Sequence, residues 1–383
     1  MDWSFLTKRS DALCVTTDSR KVTPGSVFVA LKGEHFDGND FVEQARKDGA
    51  AYIISGDNAL AELQDLARAW RRELNIPILG ITGTNGKTTT KELCAAVLST
   101  KYNLYYTQGN LNNQLGVPLT LLSITRAHEM AIVEMGASHP GDIKELVEIA
   151  EPNCGLITNV GKAHLQGFGS FEGVMRTKAE LYDYLRAHGG FCFRNTDNPY
   201  LEQMAGDLKT VPYTTGTMPE GTHLVGGYNA ENVSAALCVG DYFGVKYKDA
   251  LAAIRAYIPS NNRSQLMQTE RNTVVVDAYN ANPTSMQAAI NAFKGNCYIL
   301  GAMRELGEYS HLEHQNIVNM LLERKADRVL LVGEEYKETT APYPIFDNVE
   351  ALCEYLQNEP LSGYTILLKG SRSNQLEKVI PLL

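Results

Sequence analysis

The stretch Gly80–Thr90, GITGTNGKTTT, is the feature that most restricts how this chain can fold. It follows the apolar run Ile76–Leu79 and leads into a segment with helical periodicity. A buried strand, a tight glycine turn and a helix start, in that order, direct backbone N–H groups and the helix N-terminus at one point, which suits an anion. We therefore predict a phosphate site, with Lys87 against the β- and γ-phosphates of a nucleotide and the Thr88 hydroxyl on Mg²⁺.

This motif departs from the strict phosphate-loop pattern G-x-x-x-x-G-K-[ST] at one position. Ile81 stands where that pattern has glycine, and Gly83 supplies the turn instead. The alternative interpretation is a solvated helix start in which glycine, lysine and threonine occur together by chance. The strand before the turn and the helix after it favour the phosphate site.

Short apolar runs rich in valine and isoleucine alternate with longer helical stretches along the chain. This alternation is typical of parallel strands joined by crossover helices, so the predicted fold class is α/β. Strands are predicted at 27–31, 51–55, 76–82, 131–135, 155–160, 273–279, 297–303, 328–333 and 364–370, and helices at 57–74, 87–100, 139–150, 173–187, 230–243, 284–293 and 312–325.

The chain length indicates more than one domain, because 383 residues exceed what a single hydrophobic core usually serves. One break precedes Ile76, where a polar helix gives way to the strand before the glycine turn. A second break is the turn-rich segment 258–268. We therefore predict three domains, at residues 1–75, 76–260 and 261–383.

Charge and cysteine content exclude several classes of function. The formal net charge of −9 gives no general attraction to nucleic acid or anionic lipid. The seven cysteines form no C-x-x-C pair, which favours a reducing compartment. The first residues lack the apolar region of a signal peptide, and no apolar run reaches the roughly 18 residues of a membrane span. We expect a monomeric cytoplasmic protein that binds neither nucleic acid nor membrane.

The short spacing in TGTNGKTT resembles the ATP site of the Mur ligase superfamily, the ATP-dependent enzymes that form amide bonds in peptidoglycan synthesis. Other stretches are similar to this superfamily in the same order: DSRKVTPGSVFVALKGEHFDGNDF, TQGNLNNQLGVPLTLL, EMGASHPGDI, TNVGKAHL, DAYNANPTSM, GAMRELGE and LLKGSRSNQLEKVI. The resemblance implies an N-terminal UDP-substrate-binding domain and a central P-loop-type mononucleotide-binding domain with a parallel sheet. It also implies a C-terminal Rossmann-like domain that completes the ATP and dipeptide site.

Within the superfamily, GNLNNQLGVP and EMGASHPGDI are most similar to the ligase that adds D-Ala-D-Ala to UDP-MurNAc-tripeptide through an acyl phosphate. The resemblance therefore implies ATP, Mg²⁺ and these two substrates as ligands. Three alternatives stay open: the preceding ligase, which adds the third amino acid; a folate or cyanophycin type of relative; and a nucleotide-binding regulatory protein without ligase activity. The segment DSR…FVALKG disfavours the second, and the predicted catalytic residues disfavour the third.

Four residues besides Thr88 carry the predicted chemistry. Glu134 ends the strand AIVE at the carboxyl edge of the sheet, where open α/β sheets place ligands. The resemblance implies that Glu134 and Thr88 hold one Mg²⁺, that His164 ligates a second, and that Lys178 is carbamylated by CO₂ to support it. The predicted catalytic residues are Lys87, Glu134, His164 and Lys178. Taken alone, Glu134 is a capping or surface carboxylate, His164 a packed imidazole and Lys178 a solvated lysine.

The remaining predicted contacts come from the resemblance. The nucleotide contacts are Gly83, Thr84, Asn85, Gly86, Lys87, Thr88 and Thr89 in the loop, Asn229 and Asn232 towards adenine, and Arg263, Asp277 and Tyr279 in the third domain. The substrate contacts are Ser19, Arg20 and Lys32 at the uridine diphosphate, Asn110 and Asn113 between the phosphates and the acyl group, and Lys369, Ser371 and Arg372 at the edge of the third domain. Each substrate contact has an alternative role in capping or ion pairing.

Overall fold

The chain folds around three β-sheets with helices packed against them, in a computed structural model that describes residue 3 and residues 12–33, 36–259 and 262–383. The boundary predicted between residues 260 and 261 lies outside the described residues. The first sheet is parallel in the order β1-β2-β3, with β1 (Val15–Thr16), β2 (Val27–Val29) and β3 (Tyr52–Ile54). Its helices are α1 (Val42–Lys47) and α2 (Ala59–Leu74).

Helix α2 joins the first sheet to the second. Its apolar stripe, which includes Leu63, Leu66 and Trp70, is fully buried and shares a core with the second, central sheet and the helices around it, here called the central unit. Trp70 also donates its indole N–H to the carbonyl of Ile124 at 2.9 Å. Burial of a large aromatic ring together with a satisfied N–H fixes the contact between the two units.

The central sheet has six parallel strands in the order β5-β6-β4-β7-β8-β9. These are β4 (Ile78–Thr82), β5 (Leu104–Tyr106), β6 (Met130–Glu134), β7 (Cys154–Ile157), β8 (Phe191–Asn195) and β9 (Thr210–Tyr213). The helices of this unit are α3 (Lys87–Leu98), α4 (Gly116–Leu122), α5 (Asp142–Ala150), α6 (Leu165–Phe168), α7 (Phe171–Ala187), α8 (Pro199–Ala205), α9 (Asn229–Tyr242) and α10 (Tyr247–Ala256). Strand β4 lies between β6 and β7, so the strand order reverses there and the carboxyl ends of all three strands open into one crevice.

The third sheet has the order β10-β11-β15-β12-β13-β14, in which only β10 is antiparallel. The strands are β10 (Gln265–Gln268), β11 (Thr273–Asp277), β12 (Cys297–Gly301), β13 (Arg328–Val332), β14 (Ile345–Phe346) and β15 (Thr365–Lys369), and the helices are α11 (Pro283–Ala292), α12 (Ser310–Glu323) and α13 (Val349–Asn358). Asp277 and Lys369 are register partners at the carboxyl ends of two neighbouring strands. This edge therefore presents charged groups towards the central unit.

The predicted α/β class with a central parallel sheet is confirmed, and each predicted strand and helix overlaps an observed element. The strands missing from the prediction are β1, β5, β8, β9, β10 and β14. Most of these are short, lie towards sheet edges and are not uniformly buried, so they lack the continuous apolar run of a central parallel strand. Among the described helices, none combines the length and the apolarity that crossing a membrane requires.

Candidate active site

The phosphate loop runs from Gly83 to Gly86, between β4 and α3, and two of its positions admit only glycine. Gly83 has φ +140°, and a Cβ there would lie 1.9 Å from the hydroxyl of Thr158. Gly86 precedes the first residue of α3 with φ +78°, and a Cβ there would lie 2.4 Å from Oδ1 of Asn232. The missing side chains let the loop pack tightly against its surroundings while α3 begins directly behind it.

Lys87 is half-buried and folded back on its own loop. Its Nζ donates to the carbonyls of Gly83 at 2.8 Å and Thr84 at 3.0 Å. Burial lowers the pKa of Lys87 to about 8; the charge of Glu134 opposes this shift and that of Arg263 adds to it. The ammonium thus has two neutral acceptors that a phosphate could replace, as expected of a phosphate-binding lysine.

Glu134 is a buried carboxylate with one unsatisfied oxygen. It is 1% exposed; its Oε1 accepts from the Thr88 hydroxyl at 3.2 Å and from Nδ2 of Asn112 at 2.8 Å. Its Oε2 has no hydrogen-bond partner among the described residues. A buried carboxylate oxygen without a hydrogen-bond donor, beside a hydroxyl, is a hard-oxygen donor set, which fits Mg²⁺.

Asn112 is a site residue that the sequence analysis missed. Asn110 and Asn113 were the predicted asparagines of this loop, but Oδ1 of Asn113 accepts from the N–H groups of Leu115 at 3.2 Å and Gly116 at 2.8 Å, at the start of α4. Asn112, which lies between them, instead reaches Glu134, and its carbonyl accepts from Gly136 at 2.6 Å. The stretch NLNN indicates that this loop belongs to the site, but the tertiary fold decides which of its asparagines reaches Glu134.

Lys91 is a second missed residue, and its side chain is completely buried. Its Nζ donates to the carbonyl of Thr107 at 2.6 Å and lies 3.0 Å from Glu92 and 3.8 Å from Oε2 of Glu134. The available signal was its position one helical turn after Lys87, on the same face of α3. Lys91 therefore supplies positive charge beneath the unsatisfied oxygen of Glu134.

The predicted second metal position is marked by His164 and Lys178. His164 has φ +49°, and its Nδ1 pairs with Glu305 of the third unit. Burial lowers the pKa of His164, and Glu305 opposes the shift. The centroids of the His164 and Phe168 rings are 6.2 Å apart, and Nζ of Lys178 lies 5.6 Å from the centroid of Phe168, so the imidazole and the lysine both lie beside this ring.

Lys178 is 2% exposed, so its interpretation as a solvated lysine is wrong. Burial lowers its pKa well below the usual range, and the charge of Lys87 contributes in the same direction. The fold therefore favours the neutral amine at this position. A neutral amine is the form that can react with CO₂, whereas an ammonium beside a metal ion would be repelled.

A cavity of about 590 Å³ brings together most of the predicted residues, from both the central and the third unit. The predicted residues that line it are Thr84, Asn85, Gly86, Lys87, Thr88, Thr89, Asn110, Asn113, Glu134, His164, Asn229, Asn232, Arg263, Asp277, Tyr279 and Lys369. Its size falls in the range of small-ligand sites, roughly 300–1,000 Å³. A second cavity of about 260 Å³ adjoins it at His164 and Tyr279 and is lined by Ser371 and Arg372.

The charged residues of the third unit are arranged around Tyr279. The Arg263 guanidinium lies 3.7 Å from the centroid of the Tyr279 ring, and that of Arg372 lies 5.7 Å from it. Lys369 is buried, and its Nζ is 2.5 Å from Oδ2 of Asp277. The charge of Lys369 is therefore compensated within the protein, whereas the arginines hold their positive charge beside the cavities.

Asn229 and Asn232 connect α9 to the phosphate-loop helix. Asn232 donates to Oδ1 of Asn229 at 2.9 Å and accepts from the Thr90 hydroxyl at 3.0 Å, while Asn229 donates to the carbonyl of Val225 at 2.7 Å. Both asparagines line the larger cavity. Their amides hold the cavity wall, and contact with adenine stays a prediction.

The residues predicted to bind the uridine diphosphate line neither cavity. Ser19 begins a 3₁₀ turn at residues 19–21, and Arg20 pairs with Asp18 at 2.8 Å. Ser371, which was predicted as a substrate contact of the third domain and lines the second cavity, donates its hydroxyl to the carbonyl of Ala302 at 2.9 Å. Lys32 forms a backbone bridge with Asp37. The Arg20 contact agrees with the alternative pairing role, and the substrate roles of all four residues stay predictions.

The fold and this site define a class: a nucleotide-binding α/β protein whose cavity is shared by two units. Residues 13–97 match the family description "Mur ligase family, catalytic domain", residues 81–222 match "Mur ligase middle domain", and residues 262–372 match "Mur ligase, glutamate ligase domain". The UDP-N-acetylmuramoyl-tripeptide--D-alanyl-D-alanine ligase of Bacillus subtilis is 33% identical, over 96% of this chain and 92% of the relative. The Escherichia coli enzyme of that name is also 33% identical, over 96% and 93%.

Among solved structures, the MurF ligase of Thermotoga maritima in complex with ADP aligns with a TM-score of 0.86 and 28% identity, over 98% of this chain and 97% of that one. A MurF structure from Acinetobacter baumannii aligns with a TM-score of 0.85 and 28% identity, over 96% and 93%. The chain belongs to the Mur ligase family.

Proposed function

We propose that this chain is an ATP-dependent ligase that joins the terminal carboxylate of UDP-MurNAc-tripeptide to the amino group of D-Ala-D-Ala. One observation carries the assignment: the phosphate loop and the buried Glu134 face Arg263 and Asp277 across one cavity of about 590 Å³. The relatives that share this organisation bear the name of this ligase and align over more than nine-tenths of their length. The reaction belongs to precursor synthesis for peptidoglycan, and we place the protein in the cytoplasm as a monomer with domains at residues 1–75, 76–260 and 261–383.

The preceding ligase, which adds the third amino acid, is the less favoured function. A diaminopimelate-adding ligase structure aligns with a TM-score of only 0.51 at 18% identity, and a Mycobacterium tuberculosis folylpolyglutamate synthase aligns at 15% identity. At such identities the likeness concerns the fold alone. The relatives with 33% identity instead carry the name of the dipeptide-adding enzyme.

The reaction proceeds in two displacements, with ATP as a substrate. A carboxylate oxygen of the tripeptide attacks the γ-phosphorus, the bond to ADP breaks, and an acyl phosphate results. The amine of D-Ala-D-Ala then attacks the acyl carbon, and the tetrahedral intermediate releases phosphate as the nitrogen loses a proton. Lys87 exchanges its two carbonyl partners for phosphate oxygens, and Arg263 adds positive charge from the opposite wall.

Thr88 and Glu134 are the residues that would hold one Mg²⁺, because a hydroxyl and a buried carboxylate oxygen without a donor meet there. When bound, this ion supplies positive charge against the phosphates. Asn112 donates to the other oxygen of Glu134 and so fixes the orientation of the carboxylate. Because this hydrogen bond joins two protein groups, the role of Asn112 does not depend on which nucleotide is bound.

Lys178 would support a second Mg²⁺, together with His164, as a carbamate. Its neutral amine attacks the carbon of CO₂ and loses a proton, which leaves an anionic oxygen where an ammonium would repel a cation. The burial of Lys178 supports this assignment. Lys178→Ala should be nearly inactive yet regain activity with acetate, and activity should fall when CO₂ is stripped from the buffer. Normal turnover by Lys178→Ala without any carboxylate would contradict the carbamate.

The test of the ligase function is phosphate release in a substrate matrix. UDP-MurNAc-tripeptides ending in diaminopimelate or lysine are combined with D-Ala-D-Ala, and UDP-MurNAc-dipeptide is combined with the free third amino acid. Release should require a tripeptide and D-Ala-D-Ala together, and Lys87→Ala should lower it at least about 100-fold while remaining folded. Release with the dipeptide and a free amino acid would instead identify the preceding ligase.

A further inference from the structure

Asn282 is the N-cap of α11 in the third unit and forms a reciprocal pair of hydrogen bonds with Ser285. Its Oδ1 accepts from the backbone N–H of Ser285 at 2.9 Å, and the Ser285 hydroxyl accepts from the backbone N–H of Asn282 at 3.1 Å. Pro283 follows at the first helical position, and Asn282 is 3% exposed. This reciprocal cap leaves the amide little rotational freedom.

The same amide reaches across to the phosphate loop. Nδ2 of Asn282 donates to Oδ1 of Asn85 at 2.8 Å, and Nδ2 of Asn85 donates back to Oδ1 of Asn282 at 3.4 Å. Within the central unit, the backbone N–H of Asn85 donates to Oδ1 of Asn159 at 3.0 Å, and the carbonyl of Asn85 accepts from the Thr158 hydroxyl at 2.6 Å. Asn85 is therefore held between the central sheet and the helix start of the third unit.

We propose that Asn282 is a positioning residue that couples docking of the third unit to the nucleotide-binding conformation of the phosphate loop. Asn85 lines the larger cavity, whereas Asn282 lines only the second, smaller one. A loop conformation that both docking and nucleotide stabilise links the two events, and linkage acts equally in both directions. This coupling rests on the proposed function, which makes the cavity a nucleotide site, and adds that docking of the third unit and nucleotide binding stabilise each other.

A helix cap alone would explain Asn282 without any coupling, and one substitution separates the two roles. Serine caps helices about as well as asparagine but is too short to reach Asn85, so Asn282→Ser keeps the cap and removes the amide pair. Asn348 offers a matched control, because it caps α13 by accepting from the backbone N–H of Ala351 at 2.9 Å and forms no hydrogen bond with the central unit among the described residues. Asn348→Ser therefore makes the same chemical change without touching the loop.

The experiment measures the affinity of the full chain for ADP with Mg²⁺ by calorimetry, in Asn282→Ser, Asn85→Ala, the double variant and Asn348→Ser. We expect about fivefold weaker binding in Asn282→Ser, the value of one ordinary hydrogen bond, and wild-type affinity in Asn348→Ser. The double variant should bind ADP no more weakly than the single variant with the lower affinity, because both changes remove the same hydrogen-bonded pair.

Two results would overturn the coupling: wild-type affinity in Asn282→Ser, or effects of the two single changes that multiply in the double variant. If Asn282→Ser fails to fold, Asn85→Ala tests the pair from the other side, and wild-type affinity there also overturns it. The readout is nucleotide binding and not turnover. If the ligase assay fails while the single and double variants bind ADP as expected, the proposed function is refuted and the coupling stands.

Discussion

Replacement of Lys91 by methionine should destabilise the protein far more than any surface lysine change. Lys91 is completely buried, and the neighbouring Glu134 is 1% exposed. Methionine keeps most of the aliphatic volume, so the loss is that of the charge and of the 2.6 Å hydrogen bond to the Thr107 carbonyl. Breaking a buried ion pair by removing one partner costs about 3–5 kcal/mol, because the other charge stays buried without compensation.

The assay is differential scanning calorimetry of the ligand-free protein. At roughly 2–4 °C per kcal/mol for a unit of this size, a loss of about 4 kcal/mol lowers Tm by about 10 °C. The control is Lys144→Met, since Lys144 pairs with Glu148 at 2.8 Å while 68% and 51% of the two side chains are exposed. Such a surface pair contributes about 0–1 kcal/mol, so Tm should change by only a few degrees.

A second measurement separates charge compensation from packing. A divalent cation at Glu134 supplies the positive charge that Lys91→Met lacks, so Mg²⁺ with ADP should raise Tm more in this variant than in the wild type. If Lys91→Met and Lys144→Met lower Tm equally, the role assigned to Lys91 is wrong. An equal ligand-induced rise in the variant and the wild type would refute the charge argument alone.

Two further outcomes follow from the charges around the cavity. Because the pKa of Lys87 is lowered to about 8, about half of the ligand-free molecules carry a neutral amine near that pH, and a polyphosphate raises the pKa by stabilising the ammonium. ADP binding near pH 8 should therefore be accompanied by uptake of about half a proton, as measured by calorimetry in buffers of different ionisation enthalpy. The uptake should fade near pH 6 and be absent in Lys87→Met. A binding enthalpy near pH 8 that does not depend on the buffer would contradict this prediction. Lys162→Gln should weaken ADP binding with Mg²⁺ at about 0.05 M salt, because Nζ of Lys162 lies 2.7 Å from Glu313 and this ion pair joins the two units that share the cavity. The effect should be smaller at about 0.5 M salt, because Lys162 is half-exposed and salt screens the pair. An effect that does not depend on salt would contradict this.

The phosphate loop could be predicted from the sequence because its requirements are local. Gly83 and Gly86 are needed for positive φ and close packing, and the strand and helix on either side follow from their apolar patterns. The middle strands β4, β6 and β7 of the central sheet were predictable for the same reason, since they are buried along their whole length and mainly apolar. Strand β5 was missed because its three residues, Leu104–Tyr106, are only partly buried.

The parts of the site that were missed depend on contacts between distant segments. The pair between Asn85 and Asn282 joins residues 197 positions apart, and no local pattern distinguishes these asparagines from ordinary turn and cap residues. Asn112 differs from Asn113 only in which side of its loop faces Glu134. Tertiary packing decides both cases, after the local rules have been satisfied.

Three lysines show how far the surroundings, more than the residue type, determine the chemistry of this site. Within the described part of the chain, Lys87 has only backbone carbonyls as hydrogen-bond acceptors, so a phosphate can displace them, and it stays half-buried at the cavity wall. Lys91 lies one turn further along the same helix, where it pairs with the carboxylates of Glu92 and Glu134. Lys178 is buried beside an aromatic ring, and its lowered pKa favours a neutral nucleophile. The same side chain thus donates to displaceable acceptors, compensates a charge or is held as a buried amine whose ammonium form is disfavoured, according to its burial and to the nearest acceptor.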